Sequence, residues 1–228
     1  MSDSSLPTGI LSPEDFNQYS SNWLAVASDP ASPELAPSFM ASDERILLVR
    51  LPIDRMVSLL SAVGVKQVKA RFLLLPRSTG APIFALALYA ADAQDKRLSA
   101  YYVTEGHATT SPAPPEATGG IPTALADTWL TNWKTVPQIT TALFATSYGV
   151  LQGYNFKVEE FLAPLMSDPS FENLELQLSF GLSEYYNATG DGELTQTFGL
   201  LSRVYSAQQP GGGSGYYDIL APTPPGTA

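Results

Sequence analysis

Histidine and cysteine, two residue types that often carry out catalysis, are scarce in this chain, and its one histidine is the first to consider. His107 lies in the segment Glu105-Gly106-His107-Ala108-Thr109-Thr110, where a proline-rich stretch begins. A general base must be held within hydrogen-bonding distance of its target, and a flexible linker is a poor support for one. Because the chain has no cysteine, thiolate catalysis is excluded. The favoured interpretation of His107 is an exposed loop residue.

Carboxylates are more numerous, but their positions have structural explanations. Asp92 and Asp95 flank a predicted hairpin turn, where aspartate is common. Glu159 and Glu160 begin a predicted helix, where acidic side chains favour the helix dipole. A glycosidase-type pair stays open, since such carboxylates meet in space rather than in sequence. Ordinary zinc and non-haem iron sites need two or more His or Cys ligands, so we predict no metal site and no cofactor.

Two loops resemble ligand-binding motifs only in part. The segment Asn187-Ala188-Thr189-Gly190-Asp191-Gly192 has oxygen-bearing side chains spaced like the start of an EF-hand loop. The glutamate that closes such a loop is replaced here by Phe198, so a hairpin turn is the better interpretation. The segment Gly211-Gly212-Gly213-Ser214-Gly215 lacks the lysine of a phosphate-binding loop and precedes a predicted strand. We interpret it as a flexible connection.

Aromatic side chains beside amides are the remaining candidates for binding. An asparagine precedes a tryptophan at two places, and paired tyrosines put one ring on each face of a predicted strand. In the structural interpretation, which we favour, each tryptophan anchors its helix to a sheet. In the functional alternative, rings and amides line a groove that holds a ligand or partner. The candidate binding residues are Asn22, Trp23, Asn132, Trp133, Tyr102 and Tyr217.

These residues belong to a pattern that occurs twice. Tyr19-Ser20-Ser21-Asn22-Trp23 returns as Trp129-Leu130-Thr131-Asn132-Trp133, and Tyr101-Tyr102-Val103 returns as Tyr216-Tyr217-Asp218. Between them an ungapped register aligns apolar positions: Val49, Leu51, Ile53, Met56, Val57 and Leu60 with Tyr154, Phe156, Val158, Phe161, Leu162 and Leu165. We predict a tandem duplication whose units pack about a pseudo-twofold axis, as two subunits of a dimer do.

The elements that position these residues follow the same order in each unit. Ser12-Pro13-Glu14-Asp15 predicts a helix start, and apolar residues at helical spacing follow. The first unit then contains a helical turn at 34–39, a buried strand at 45–51, a helix from 53 that ends at Gly64, and strands at 68–74, 82–91 and 97–104. The second contains a helix around 126–133, a helical stretch at 136–145, a strand at 150–156, a helix from 158, and strands at 174–180, 194–204 and 216–220.

We therefore predict an α+β protein of two tandem related units. Each has the order helix, short helix, strand, helix and three strands, with mostly antiparallel sheet and the helices on one face. The predicted boundaries are 1–106 for the first unit, 107–120 for a Pro/Gly linker and 121–228 for the second unit.

Composition narrows the function classes. The chain has 228 residues and a net charge of −10. Such a surface disfavours phosphate backbones and anionic lipid heads, so we predict no nucleic-acid or membrane partner. The polar, acidic N-terminus does not resemble a signal peptide, and apolar runs are too short to span a bilayer. We predict a soluble, cytoplasmic protein.

The function that these features favour is binding rather than catalysis. Duplication creates a large self-complementary or cleft-bearing surface, and the sequence offers no clear nucleophile–base pair. The first hypothesis is a non-enzymatic binding or protein-interaction protein. The alternative is a small-molecule pocket protein, or an enzyme, whose site lies in the cleft between the halves. Self-association and completion of a sheet edge by another chain also stay open.

Overall fold

The computed structural model describes residues 9–110, 120–146, 148–166, 174–186, 194–206, 215–218 and 221–222. Helices within them are α1 (Pro13–Ser28), α2 (Leu35–Ser38), α3 (Ile53–Leu60), α4 (Thr123–Thr135), α5 (Val158–Met166) and a 3-10 helix (Thr141–Phe144). The first strands are β1 (Ile10–Leu11), β2 (Met40–Ala41), β3 (Glu44–Arg45), β4 (Leu48–Pro52), β5 (Gln67–Leu75), β6 (Ile83–Ala91), β7 (Tyr101–Val103) and β8 (His107–Ala108). Those that follow are β9 (Ala145–Thr146), β10 (Gly149–Val150), β11 (Gly153–Lys157), β12 (Leu174–Tyr186), β13 (Leu194–Ser206), β14 (Tyr217–Asp218) and β15 (Ala221–Pro222).

Helix α1 begins where its capping residues predict. The Ser12 hydroxyl accepts a hydrogen bond from the backbone N–H of Asp15 at 3.1 Å, and Pro13 occupies the first helical position. The side chains of Phe16 and Leu24 pack against the core beside Trp23, which is buried. The predicted amphipathic helix is therefore present and turns its apolar stripe inward.

Two antiparallel sheets contain most of the strands. One has the order β1-β7-β6-β5-β11-β15, and the other has the order β14-β13-β12-β4-β8. Short hairpins β2–β3 and β9–β10 stand apart from them. The predicted α+β class and the mostly antiparallel pairing are confirmed. We call the two sheets the six-stranded sheet and the five-stranded sheet.

Each sheet combines strands from both halves of the chain. In the six-stranded sheet, β11 pairs with β5, and Tyr154 lies opposite Ala70. In the five-stranded sheet, β4 pairs with β12, and Val49 lies opposite Leu178. Starting from β7 in one sheet and from β14 in the other, the strand order is the same: a short strand, a hairpin, a strand from the other half and a short outer strand. The six-stranded sheet has β1 in addition, beside β7. The two halves thus exchange strands.

The main core lies between the facing sheets and is rich in phenylalanine. Phe84 of β6 meets Phe180 of β12 and Phe198 of β13, with ring centroids 5.4 and 6.0 Å apart. Phe72 of β5 meets Phe198 at 5.6 Å. All four rings have no exposed surface, and one continuous cluster of buried side chains includes residues of both halves.

Helices approach both faces of β7, which differs from the prediction that helices share one face. Phe16 of α1 stacks on Tyr101 with centroids 3.9 Å apart. The Arg55 guanidinium of α3 lies 5.8 Å from the ring centroid of Tyr102, the next residue of the strand. Because neighbouring side chains of a strand point to opposite faces, α1 and α3 lie on opposite sides of β7.

Two local expectations were wrong, and both concern loops. The helical stretch predicted for 136–145 is only the 3-10 turn Thr141–Phe144, because the consecutive β-branched residues Ile139, Thr140 and Thr141 disfavour a longer helix. His107 is not an exposed loop residue: it is half-buried in β8 and pairs with Val49. Residues 111–119 of the predicted linker lie outside the described residues, so the unit boundaries remain predictions.

Candidate ligand-binding groove

Trp23 and Trp133 lie in the core, and each indole binds the opposite half of the chain. Their exposed fractions are 1% and 0%. The Trp23 Nε1–H donates to the carbonyl of Leu151 at 2.8 Å, and the Trp133 Nε1–H donates to the carbonyl of Ile46 at 2.9 Å. Burial and hydrogen bonding agree with the favoured interpretation of both residues as helix anchors. A role for them in ligand contact stays a prediction.

The other predicted binding residues lie on separate elements. Asn22 is exposed on α1. On α4, the Asn132 amide donates to the carbonyl of Leu182 at 3.3 Å and to the Glu184 carboxylate at 3.0 Å. Tyr102 is half-buried in β7, whereas Tyr217 lies in β14 and pairs with Ser202. Of the predicted set, the structure joins the two tryptophans through a shared contact with Phe39.

The ring of His107 is used structurally. Its Nε2 lies 3.0 Å from the carbonyl oxygen of Phe84, so the neutral ring donates Nε2–H. Burial lowers the pKa of His107 below 6.5; the nearby Arg77 acts in the same direction, and the hydrogen bond to Phe84 opposes both. Among the described residues, the His107 ring forms no other hydrogen bond. His107 therefore has no nucleophile to activate in this part of the chain.

The acidic side chains of the β6–β7 turn also have structural partners. Asp92 accepts hydrogen bonds from the backbone N–H groups of Gln94 and Lys96, both at 2.9 Å. Asp95 forms an ion pair with the buried Lys69, with Nζ and Oδ1 2.8 Å apart. Within the described ranges, His, Cys, Asp and Glu side chains do not form a group of three that could hold a metal ion. The EF-hand-like segment 187–192 and the glycines at 211–213 lie outside those ranges.

A small cavity of about 150 Å³ lies between α1 and the six-stranded sheet, beside the buried Arg71. Both Nη atoms of Arg71 lie 3.1 Å from Oδ1 of Asn155, and Nη1 also donates to the carbonyl of Tyr154 at 3.2 Å. These bonds join β5 to β11. Burial lowers the pKa of Arg71, and the guanidinium is best explained as a structural link between the two halves.

An open groove of about 590 Å³ is the more promising site. One side is formed by α2 and the β2–β3 hairpin of the first half, and the other by residues 137–140, which follow α4 in the second half. Five of its nine lining residues are apolar, and four are polar or charged. The lining residues are Ala36, Pro37, Met40, Asp43, Arg45, Pro137, Gln138, Ile139 and Thr140.

Local backbone geometry shapes both sides of this groove. Ser42 and Asp43 have φ of 50° and 64°, the left-handed conformation of a tight hairpin turn, and the turn pairs Met40 with Arg45. On the opposite side Pro137 cannot continue α4, so the chain turns away after the helix. Ile139, only 7% exposed, fixes that segment to the core.

Arg45 is held across the junction of the two halves. Its Nη1 donates to the carbonyl oxygens of Trp133 at 2.7 Å, Lys134 at 3.2 Å and Val136 at 2.8 Å. These carbonyls end α4, where the helix dipole favours a cation. The guanidinium carbon also lies 5.7 Å from the Trp133 ring centroid. Partial burial lowers the pKa of Arg45.

The sequence did not identify this groove. Its lining comes from segments about one hundred residues apart, and none of them contains a binding motif. One local signal was present: Arg45 directly precedes the apolar run Ile46-Leu47-Leu48-Val49. A charged residue beside a buried strand indicates a polar partner or a ligand, because long cationic side chains extend from such positions to polar surroundings.

Comparison with protein-family models, curated proteins and solved structures finds no match to this chain. In the described part of the chain, none of the helices has the length and apolar character needed to cross a membrane.

Proposed function

We propose that this protein is a non-enzymatic binding protein that takes a small, largely apolar organic molecule into the groove between its halves. The observation that carries the proposal is the groove itself, which has a volume of about 590 Å³ and is lined by five apolar residues and four polar or charged ones. Ligand sites of proteins are typically concave and apolar, with roughly 300–1,000 Å³ of space and a few polar groups that orient the ligand.

Binding is favoured over catalysis by the polar groups available there. The polar lining side chains are those of Asp43, Arg45, Gln138 and Thr140. Arg45 already donates to three carbonyls at the end of α4, and the described lining contains neither histidine nor cysteine. A threonine hydroxyl without a nearby base is a weak nucleophile. The groove can therefore orient a ligand more readily than transform it.

The concave shape of the groove also favours one of the two functions that the sequence left open. The first hypothesis from the sequence was a binding or protein-interaction protein, and the alternative was a pocket in the cleft between the halves. A flat apolar patch would have supported the first. The groove is concave and both halves line it, which supports the second. A cytoplasmic location and the lack of nucleic-acid and membrane partners remain predictions from the sequence, and self-association stays open.

We further propose that the chain consists of two related units, 1–106 and 121–228, joined by residues 107–120. The common strand order of the two sheets supports this. So do the tryptophan hydrogen bonds, because Leu151 follows Ile46 by the same number of residues as Phe144 follows Phe39. Phe39 and Phe144 stack on each other with centroids 5.5 Å apart, as equivalent residues beside a pseudo-twofold axis would.

The experiment that tests the binding function is a thermal-shift screen with small apolar molecules, followed by calorimetry of those that stabilise the protein. A ligand at about 100 times its dissociation constant adds about 2.7 kcal/mol to the free energy of unfolding. Ala36 is exposed on α2 and lines the groove, so Ala36→Trp should fill the site and abolish the shift. Ala93→Trp, at an exposed turn outside the groove, is the matched control. A screen without any shift, or a shift that Ala36→Trp leaves intact, would contradict the proposal.

A further inference from the structure

Within the described residues, Arg45 forms hydrogen bonds through only one nitrogen of its guanidinium. This nitrogen, Nη1, donates all three bonds to carbonyls at the end of α4. A guanidinium has five N–H donors in a planar fork, of which Nη2 and Nε together supply three. Among the described residues, those three donors have no hydrogen-bond acceptor. Arg45 lines the groove, so a molecule bound there would lie beside a side chain with unused donors.

Among the described residues, the charge of Arg45 is also without a carboxylate within 4.0 Å. The ion pairs of the described residues are Arg50–Glu175, Arg55–Asp54 and Lys69–Asp95, all within 4.0 Å, and none involves Arg45. The fork geometry of arginine matches a carboxylate through two parallel N–H···O bonds, which are stronger than bonds between neutral groups. Fixing Nη1 on the helix end orients the fork before a ligand arrives, which reduces the entropy lost on binding.

We propose that the groove binds an amphipathic monocarboxylate, with the carboxylate on the Nη2 and Nε side of Arg45 and the apolar part along Pro37, Met40 and Ile139. This inference rests on the binding function proposed above and names its ligand class. Asp43 lines the same groove, and its carboxylate repels each negative charge of a ligand, while Arg45 can pair with one of them. The site therefore favours one carboxylate over two.

The test compares acids with neutral molecules of the same shape. Calorimetric titrations use octanoate and decanoate against octanamide and decanamide, with the full chain at low ionic strength. Octanoate should bind at least about tenfold more tightly than octanamide, as expected for hydrogen bonds to a charged group. Arg45→Met should remove this preference, and Arg45→Lys should weaken it, since an ammonium lacks the planar fork.

Asp43→Asn provides a variant that does not endanger the fold. Asparagine accepts the left-handed backbone that Asp43 adopts at φ 64°. Removing the negative charge should strengthen octanoate binding roughly two- to fivefold and leave octanamide binding unchanged. This variant decides the question if the Arg45 variants unfold, because Arg45 also supports the end of α4.

The outcomes separate this inference from the function on which it rests. Equal binding of acid and amide, lost in Ala36→Trp, would overturn the carboxylate assignment and leave the groove as a ligand site. An acid preference that survives Arg45→Met, or that Asp43→Asn does not increase, would also overturn the assignment. Failure of every acid and amide, together with failure of the broader thermal-shift screen, would overturn both proposals.

Discussion

At the residue scale, the two tryptophans connect the halves rather than merely fill space. Each indole contacts phenylalanines of its own half and of the other: Trp23 meets Phe72 and Phe144, and Trp133 meets Phe180 and Phe39. Each also donates its only polar hydrogen to a carbonyl across the junction. Removing one ring therefore leaves a cavity and an unpaired buried carbonyl at the same place.

We expect Trp23→Ala and Trp133→Ala each to lower the free energy of unfolding by about 3–5 kcal/mol. Chemical denaturation measures the change. Leu125 lies on α4 but is 41% exposed, so Leu125→Ala should cost no more than about 0.5 kcal/mol and serves as the control. If either tryptophan variant were as stable as the control, the core assignment of that tryptophan would fail.

His107 makes stability depend on pH near neutrality. Burial, the largest cause, lowers its folded-state pKa below 6.5, so the unfolded chain takes up this proton first as the pH falls. Stability from His107 is complete above the unfolded pKa and decreases below it. Because His107 is the only histidine, wild type should lose stability between about pH 7 and pH 5.5, where most carboxylates stay ionised.

His107→Gln tests this pH dependence, since an amide can still donate to the carbonyl of Phe84 but does not titrate. Denaturation midpoints at several pH values should change less for the variant than for wild type across that interval. Parallel curves for the two proteins would show that the folded and unfolded states bind the His107 proton equally.

At the element scale, the exchange of β4 and β11 needs close contact between strands. Gly153 begins β11 opposite Arg71, and a Cβ at this position would lie 2.1 Å from the carbonyl oxygen of Ala70. Its φ of +150° also disfavours other residues. A side chain here would push β11, which the second half contributes to the six-stranded sheet, away from β5.

We expect Gly153→Ala to lower the free energy of unfolding by more than about 2 kcal/mol, since it combines backbone strain with a clash against main-chain atoms. Gly80→Ala is the matched control: Gly80 has φ +84° but nothing within 4 Å of the added Cβ. The difference between the variants isolates the contact with Ala70. Equal losses of stability would mean that β11 has room to shift without cost.

Local patterns predicted most elements but not which strands would be neighbours. The capped start of α1, the buried strand β6 and the turn after it follow from residues close in sequence. The position of β11 beside β5 does not, because a half-buried strand fits the edge of many sheets and its partner is chosen by tertiary packing. The groove was missed for the same reason: α2 and residues 137–140 meet only after the halves have assembled.

At the scale of the whole molecule, each of the two main sheets formed by the described strands contains strands from both halves. In the six-stranded sheet, the first-half strands β1, β7, β6 and β5 are completed by β11 and β15 of the second half, and β4 of the first half lies in the other sheet. The phenylalanine core likewise requires both sheets. Each half alone would expose a long strand edge and an apolar face, which favours association over independent folding.

We therefore expect fragments 1–115 and 116–228 to give a stable one-to-one complex when they are expressed together, but no cooperatively folded monomer when each is expressed alone. Light scattering after gel filtration gives the stoichiometry, and circular dichroism during denaturation gives the cooperativity. Trp133→Ala in the second fragment should weaken the complex, because Trp133 binds the carbonyl of Ile46 in the first, whereas Leu125→Ala should not. A monomeric fragment with one sharp unfolding transition would show that its sheet is complete without the other half, and the exchanged strands would then stabilise the fold without being required for it.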